Sequence, residues 1–298
     1  MGVRLMRYDP TLLIRGRRFA PVGLAMLFGV MQGCVGSTKT GSPADRSSAA
    51  PQASEKDDAV RNSAAPPSPA LNSPSTSSSR ARGWKIVVHA LEGMGGAAAV
   101  DAVRSMELRG RSLRTGLDGR PVEVKTTTRI LFPDRYRQDI ETPTGALSVV
   151  IGPGGAFLVA PGDEGAPRGT PLPPEQRREV EISVMRNPLA LLKTRRDQTF
   201  EAIFGGEEEV GGRPVELVQV LSGGVSTLLS VERETGRVVR LRFDALEVLY
   251  SDFRPSGRLV YPFAAEGRSE GKTTMTTSLE TILVNGAMPP SLFEPPGM

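Results

Sequence analysis

From Met106 to Val284 the chain keeps returning to one pattern, short runs of alternating apolar and polar side chains separated by turn residues. In the first run Met106, Leu108, Gly110 and Ser112 fall on one side and Glu107, Arg109 and Arg111 on the other. After the turn Leu117-Asp-Gly-Arg-Pro121, the set Val122, Val124, Thr126, Thr128, Ile130 and Phe132 alternates against Glu123, Lys125, Thr127 and Arg129. A period of two sends successive side chains to opposite faces of a pleated ribbon, so these are strands with one wet face and one apolar face. Similar runs follow at 135–142, 146–151, 156–160, 201–207, 214–221, 226–232, 238–245, 248–253, 259–266 and 273–284. The short connections between them, such as Gly211-Gly212, Gly223-Gly224 and Pro255-Ser-Gly257, imply antiparallel neighbours. About ten to twelve strands without βαβ alternation predict a mainly β fold with a few helices, one large curved antiparallel sheet or half-open β-barrel.

Two regions depart from that rhythm. Pro173-Pro-Glu-Gln-Arg-Arg-Glu-Val-Glu-Ile-Ser-Val-Met-Arg-Asn-Pro188 places Val180 and Val184 at helical spacing, continued by Leu189, Leu191 and Leu192. With proline at its start and a second at Pro188, this reads as an interrupted helix lying across the sheet as a lid. Earlier, Trp84 to Leu91 and Ala97 to Val103 read as two short helices around a glycine turn. Gly93-Met-Gly95-Gly-Ala-Ala98 formally matches a dinucleotide-binding GxGxxA fingerprint. The context is wrong for it: 104–132 reads as strand, turn, strand, and only the turn residue Asp118 stands near the position of the ribose-binding acid.

The N-terminal third has a different texture. Residues 1–33 carry five arginines and one aspartate, a balance of +4 that equals the formal charge of the whole chain. The remainder is neutral and has no summed field to attract a polyanion, so nucleic acid is not an expected partner. The basic stretch precedes a mostly apolar run, Phe19 to Met31, and then Gln32-Gly33-Cys34, the order of a secretory signal peptide at 1–33. The run is too short to span a bilayer as a mature helix. Translation from Met6 would leave the same order. Residues 34–83 are rich in Ser, Ala, Pro and Gly with few large apolar side chains, and are expected to form a disordered tether before a folded domain at 84–298.

One cysteine and one histidine, Cys34 and His89, supply neither an internal disulfide nor a usual zinc ligand set, and no cofactor or metal is expected. No GxSxG elbow occurs, and Glu207-Glu-Glu209 reads as a solvated turn, so no catalytic residue is nominated and the chain is not expected to be an enzyme.

The Met31-Gln-Gly-Cys34 segment resembles the bacterial lipobox. That resemblance implies a lipoprotein acylated at Cys34, for example with palmitate, whose several buried chains hold it to a membrane at ~0.8 kcal/mol per CH₂. Val35 in place of aspartate favours, by the same resemblance, the outer membrane facing the periplasm. The glycine-rich helical start, Arg129-Ile-Leu-Phe-Pro-Asp-Arg-Tyr-Arg137, the two-helix insertion, and the ending Tyr250-Ser-Asp-Phe-Arg, Gly257-Arg-Leu-Val-Tyr-Pro262, Asn285 and Leu292-Phe-Glu-Pro-Pro296 resemble the outer-membrane lipoprotein-sorting (LolA/LolB-like) superfamily. This implies an unclosed barrel around a hydrophobic cavity that takes up acyl chains of lipids or lipoproteins, with no catalytic residues to carry over. Candidate lining residues are Val124, Ile130, Phe132, Leu241 and Phe243 on the strands and Val184 and Leu191 on the lid. The alternative is an envelope interaction or stress-sensing module of the same fold that binds a protein partner without carrying lipid.

Overall fold

The computed structural model describes residues 74–116, 119–143, 145–161 and 166–295. The expected signal peptide, Cys34 and most of the expected tether lie outside the described residues. Thirteen strands form one sheet: β1 (Ser105–Thr115), β2 (Pro121–Leu131), β3 (Arg135–Thr142), β4 (Gly145–Gly152), β5 (Gly155–Pro161), β6 (Pro167–Pro171), β7 (Glu201–Val210), β8 (Arg213–Ser222), β9 (Val225–Glu232), β10 (Val238–Phe243), β11 (Leu246–Ser256), β12 (Leu259–Ser269) and β13 (Lys272–Val284). Their order is β6-β5-β4-β3-β2-β1-β13-β12-β11-β10-β9-β8-β7, and all neighbours run antiparallel. The first and last strands meet in the middle, so the sheet consists of two wings of consecutive hairpins, β1–β6 and β7–β13, joined along the β1–β13 seam. The mainly β, half-open architecture expected from the alternation is what the chain adopts.

The edges β6 and β7 follow one another in the chain but are not paired. The segment from one edge to the other therefore bridges the mouth of an unclosed barrel. It contains α3 (Pro174–Met185) and α4 (Pro188–Lys193), where the interrupted helix was expected, after α1 (Pro74–Gly93) and α2 (Ala97–Asp101). Two sequence expectations need correction. Helix α1 begins at Pro74, inside the stretch read as tether to residue 83. A leading proline loses no helical hydrogen bond, and the polar first turns are held from outside, by Arg80 on Glu201 and Arg82 on Glu216. Strand β6 was not anticipated, because Pro167 and Pro171 argue against a strand everywhere except at an edge, which is where it lies.

Helix α1 packs on β7–β9 through Ile86, Val87, Ala90 and Leu91, two pairs at i, i+4 on one face. Together with Leu189, Leu191 and Leu192 of α4 they form the main core against Val218, Val220, Leu229 and Val231. A second core lies under the other wing, where Val124, Ile130, Tyr136, Ile140, Val149 and Ile151 surround Val180 of α3. The glycines of the GxGxxA match serve this packing. A Cβ on Gly93 would stand 2.3 Å from the carbonyl of Gly236, and one on Gly95, whose φ is +105°, would stand 2.1 Å from the carbonyl oxygen of Arg258. They let backbone approach backbone, and a strand follows instead of a nucleotide-binding helix.

Candidate functional site: a cavity under the lid

Where the two wings meet, the concave face is not filled. A cavity of about 240 Å³ lies there, lined by residues of β1–β3 and β10–β13 and by Ser183, Arg186 and Asn187 at the α3–α4 junction. This is below the ~300–1,000 Å³ of clefts that hold drug-sized ligands, so it suits one slender molecule or part of a larger one.

The lining follows from strand alternation. On β1, Leu108, Ser112 and Arg114 point inward, while Arg109 and Arg111 take part in ion pairs on the outer face with Glu107, Glu123 and Glu280. On β10, Leu241 and Phe243 point inward, and Arg240 and Arg242 pair with Glu208 on the other side. Val248, Phe263, Met275 and Leu279 complete the apolar part. Between them lie hydroxyls and amides: Ser112 and Thr277 share a hydrogen bond of 2.9 Å, and the Gln138 amide donates to Thr128 at 3.1 Å. The hollow is therefore of mixed polarity, not simply oily.

The lid is tied to the barrel by adjacent residues. Asn187 caps α4 by accepting from the Leu189 amide at 3.0 Å, and its own amide donates to the Tyr261 hydroxyl at 2.6 Å. Burial pushes the Tyr261 phenol up to about 12, with the Asn187 hydrogen bond pulling the other way. Burial likewise raises Tyr250, beside Tyr261, so both phenols stay neutral near pH 7. Arg186 lays its guanidinium 3.6 Å from the centre of the Phe243 ring and faces Asp244, in the β10–β11 turn, at 3.6 Å. Its Nε is buried without a hydrogen-bond partner, and so is the Oε1 of Gln138. Burial lowers the affinity of both Arg186 and Arg114 for their protons, only partly offset by Asp244 and Tyr136 respectively. Unsatisfied buried polar atoms are uncommon enough in folded proteins to mark a place where something else binds.

The structure gathers only some of the nominated residues at this cavity. Leu241 and Phe243 line it. Val124 and Ile130 are buried in the second core, with Val184 packed against that core, and Leu191 is buried in the main core. Phe132 packs between both cores, with the Lys193 ammonium 5.0 Å over its ring. Sequence reasoning missed Arg114, which continues the inward parity of Leu108 and Ser112 one step past the point where the first strand was ended. It also missed Arg186, which sits in the break between helices and follows no periodicity. His89 is structural: its ring nitrogens lie 3.3 Å from Glu92 and 3.1 Å from the carbonyl of Arg233, joining α1 to the β9–β10 turn. Glu207 pairs with Arg82 and Arg233. Among the described residues no cluster of three His, Cys, Asp or Glu could hold a metal, and no helix is long and apolar enough to cross a membrane.

No family model matches the chain, and no curated protein is similar to it in sequence. Solved structures do match. A lipoprotein-sorting domain from Vibrio parahaemolyticus, described as a putative outer-membrane protein, is 8% identical over 72% of this chain and 97% of that one, with a TM-score of 0.44. A LolA superfamily protein from Nitrosomonas europaea is 10% identical over 71% and 97%, with a TM-score of 0.45. A DUF1329 family protein from Desulfovibrio piger is 11% identical over 72% of this chain and 97% of that one, with a TM-score of 0.51; at that identity it is the half-open, lidded sheet itself that the two chains share.

Proposed function

We propose that this chain is a membrane-anchored module of the periplasmic side of the outer membrane that binds the acyl chain of a lipid or lipoprotein in the cavity between its wings, and that it binds rather than catalyses. One observation carries this reading: the concave face of the barrel keeps a hollow under a lid although a long sheet and four helices were available to fill it. The lipobox resemblance at Cys34 and the Ser/Ala/Pro-rich stretch after it supply the anchor and the reach. The driving force is apolar area taken out of water, at ~25 cal/mol per Å², against Leu108, Leu241, Phe243, Val248, Phe263 and Leu279.

Native mass spectrometry of the full chain, isolated from the envelope that expresses it, tests the proposal. The expected spectrum contains a population carrying one non-covalent lipid, released by mild collisional activation, besides the covalent acyl mass on Cys34. A chain that is always empty and that takes up no fluorescent acyl probe overturns it. A protein partner for the same fold would then be the reading to pursue.

A further inference from the structure

The convex face of the sheet balances its charges. Arg129 pairs with Glu107 and Asp139, Arg137 with Asp139, Arg111 with Glu280, and Arg240 and Arg242 with Glu208. The cavity does not. Its lining includes two arginines, Arg114 and Arg186, and among the described residues no aspartate, glutamate, lysine or histidine. Desolvating two cations with no carboxylate in the same wall costs free energy that an apolar ligand alone leaves unrecovered.

The strand register places both cations at one end. Arg114 of β1 lies opposite Met275 of β13, Met275 opposite Gly267 of β12, Gly267 opposite Val248 of β11, and Val248 opposite Leu241 of β10. Phe243, on which Arg186 rests, is the next inward residue of β10 toward the β10–β11 turn, ~7 Å further along. The arginines thus belong to neighbouring rows at the rim formed by the turns after β10 and β12. Leu279 lies four residues along β13 from Met275, ~13 Å away from that rim. The cavity has a charged end and an apolar end. Arg186 has a proton on Nε with no acceptor, and its carboxylate neighbour Asp244 stands beyond hydrogen-bond distance and is itself exposed.

We propose that the ligand is an acidic amphiphile, one alkyl tail bearing an anionic head, and that Arg114 and Arg186 take the carboxylate or phosphate head at the rim while the tail runs toward Leu279 and Phe263. This rests on the acyl-binding reading above and adds the charge of the head. A guanidinium suits either oxyanion, because its planar donors meet two oxygens at once.

The test is displacement of an environment-sensitive acyl probe from the full chain by palmitate, by hexadecanol, by hexadecyl phosphate and by inorganic phosphate. Palmitate and hexadecyl phosphate are expected to bind roughly tenfold or more tighter than hexadecanol, the size of a charge-assisted hydrogen bond. Arg114→Gln and Arg186→Gln each bring that ratio toward one, and Arg186→Lys, which keeps the charge, retains part of it. Thermal melting of each variant establishes that it is folded, and the lysine variant carries the test should a glutamine variant not fold. Inorganic phosphate displacing the probe as well as palmitate does would mean a free-anion site and overturn the amphiphile. Equal binding of palmitate and hexadecanol, or a preference untouched by the arginine variants, overturns the head-group assignment and leaves the acyl-binding reading standing. Failure of every alkyl ligand removes that reading itself.

Discussion

Helices α3 and α4 are neighbours in the chain, separated by Arg186 and Asn187, yet they are held in different ways. Five of the six residues of α4 are buried, from Pro188 to Leu192, and Lys193 anchors its end by donating to the carbonyls of Val100 and Val103 at 3.2 and 2.8 Å. Of the twelve residues of α3 only Val180 is fully buried. The first helix is a fixed part of the core; the second is a cover resting on one contact point. Buried apolar contacts set local stability, so a barrel that must admit a ligand has its weak element over the mouth and its strong element beside it.

That contrast can be broken by measurement, beginning where the effect is largest. Leu192, fully buried in the main core, is expected to cost about 2–5 kcal/mol on replacement by alanine, read from urea unfolding. The next effect belongs to the ion pair behind α4. Asp101 accepts from Arg195, which is buried, at 2.6 Å, and from Arg196 at 2.9 Å. The hydrogen bond from Arg195 holds the Asp101 carboxyl below its ordinary range. A depressed folded value gives stability that is present above the unfolded pKa of ~3.9 and lost as pH falls through the folded one. Asp101→Asn is therefore expected to lower stability by about 1–2 kcal/mol at pH 7, since one side of the carboxylate is solvated, and the gap should close in acid. A gap that persists unchanged down to pH 2 would remove the carboxylate from the account. Val180→Ala, which deletes two methyl groups under the cover, is expected to cost ~1.5 kcal/mol, with amides of α3 exchanging with solvent before those of α4. Should it destabilise the protein as much as Leu192→Ala, the two helices are one unit and the cover does not move by itself. The smallest change is Arg177→Ala, which removes an exposed i, i+4 pair with Glu181 worth ~0.3–0.5 kcal/mol.

The alternation of Met106 to Phe132 and its later repeats was enough to read the sheet, because a strand with one wet face writes its period directly into the sequence. The same alternation names the inward set but not what covers it. Leu241 and Val124 share the signature of an inward strand residue, yet one borders the hollow and the other is packed under α3, a distinction made by where the lid comes down. Arg114 was legible in principle, as a charge on an otherwise inward parity. Arg186 was not, since a residue in a helix break faces wherever the two caps send it. The start of α1 escaped for another reason: Ser75 to Ser79 have weak helix propensity, and ion pairs to distant strands hold the turns that follow them.

Strand β6 carries a consequence for how such molecules coexist. An open sheet has an exposed ladder at its border, on which a foreign extended segment can settle and continue the hydrogen bonding. Two of the five residues of β6 are prolines, which have no amide hydrogen to offer. An approaching strand would meet gaps where it needs donors, so along this border crowded copies of the protein are discouraged from stitching themselves into fibres.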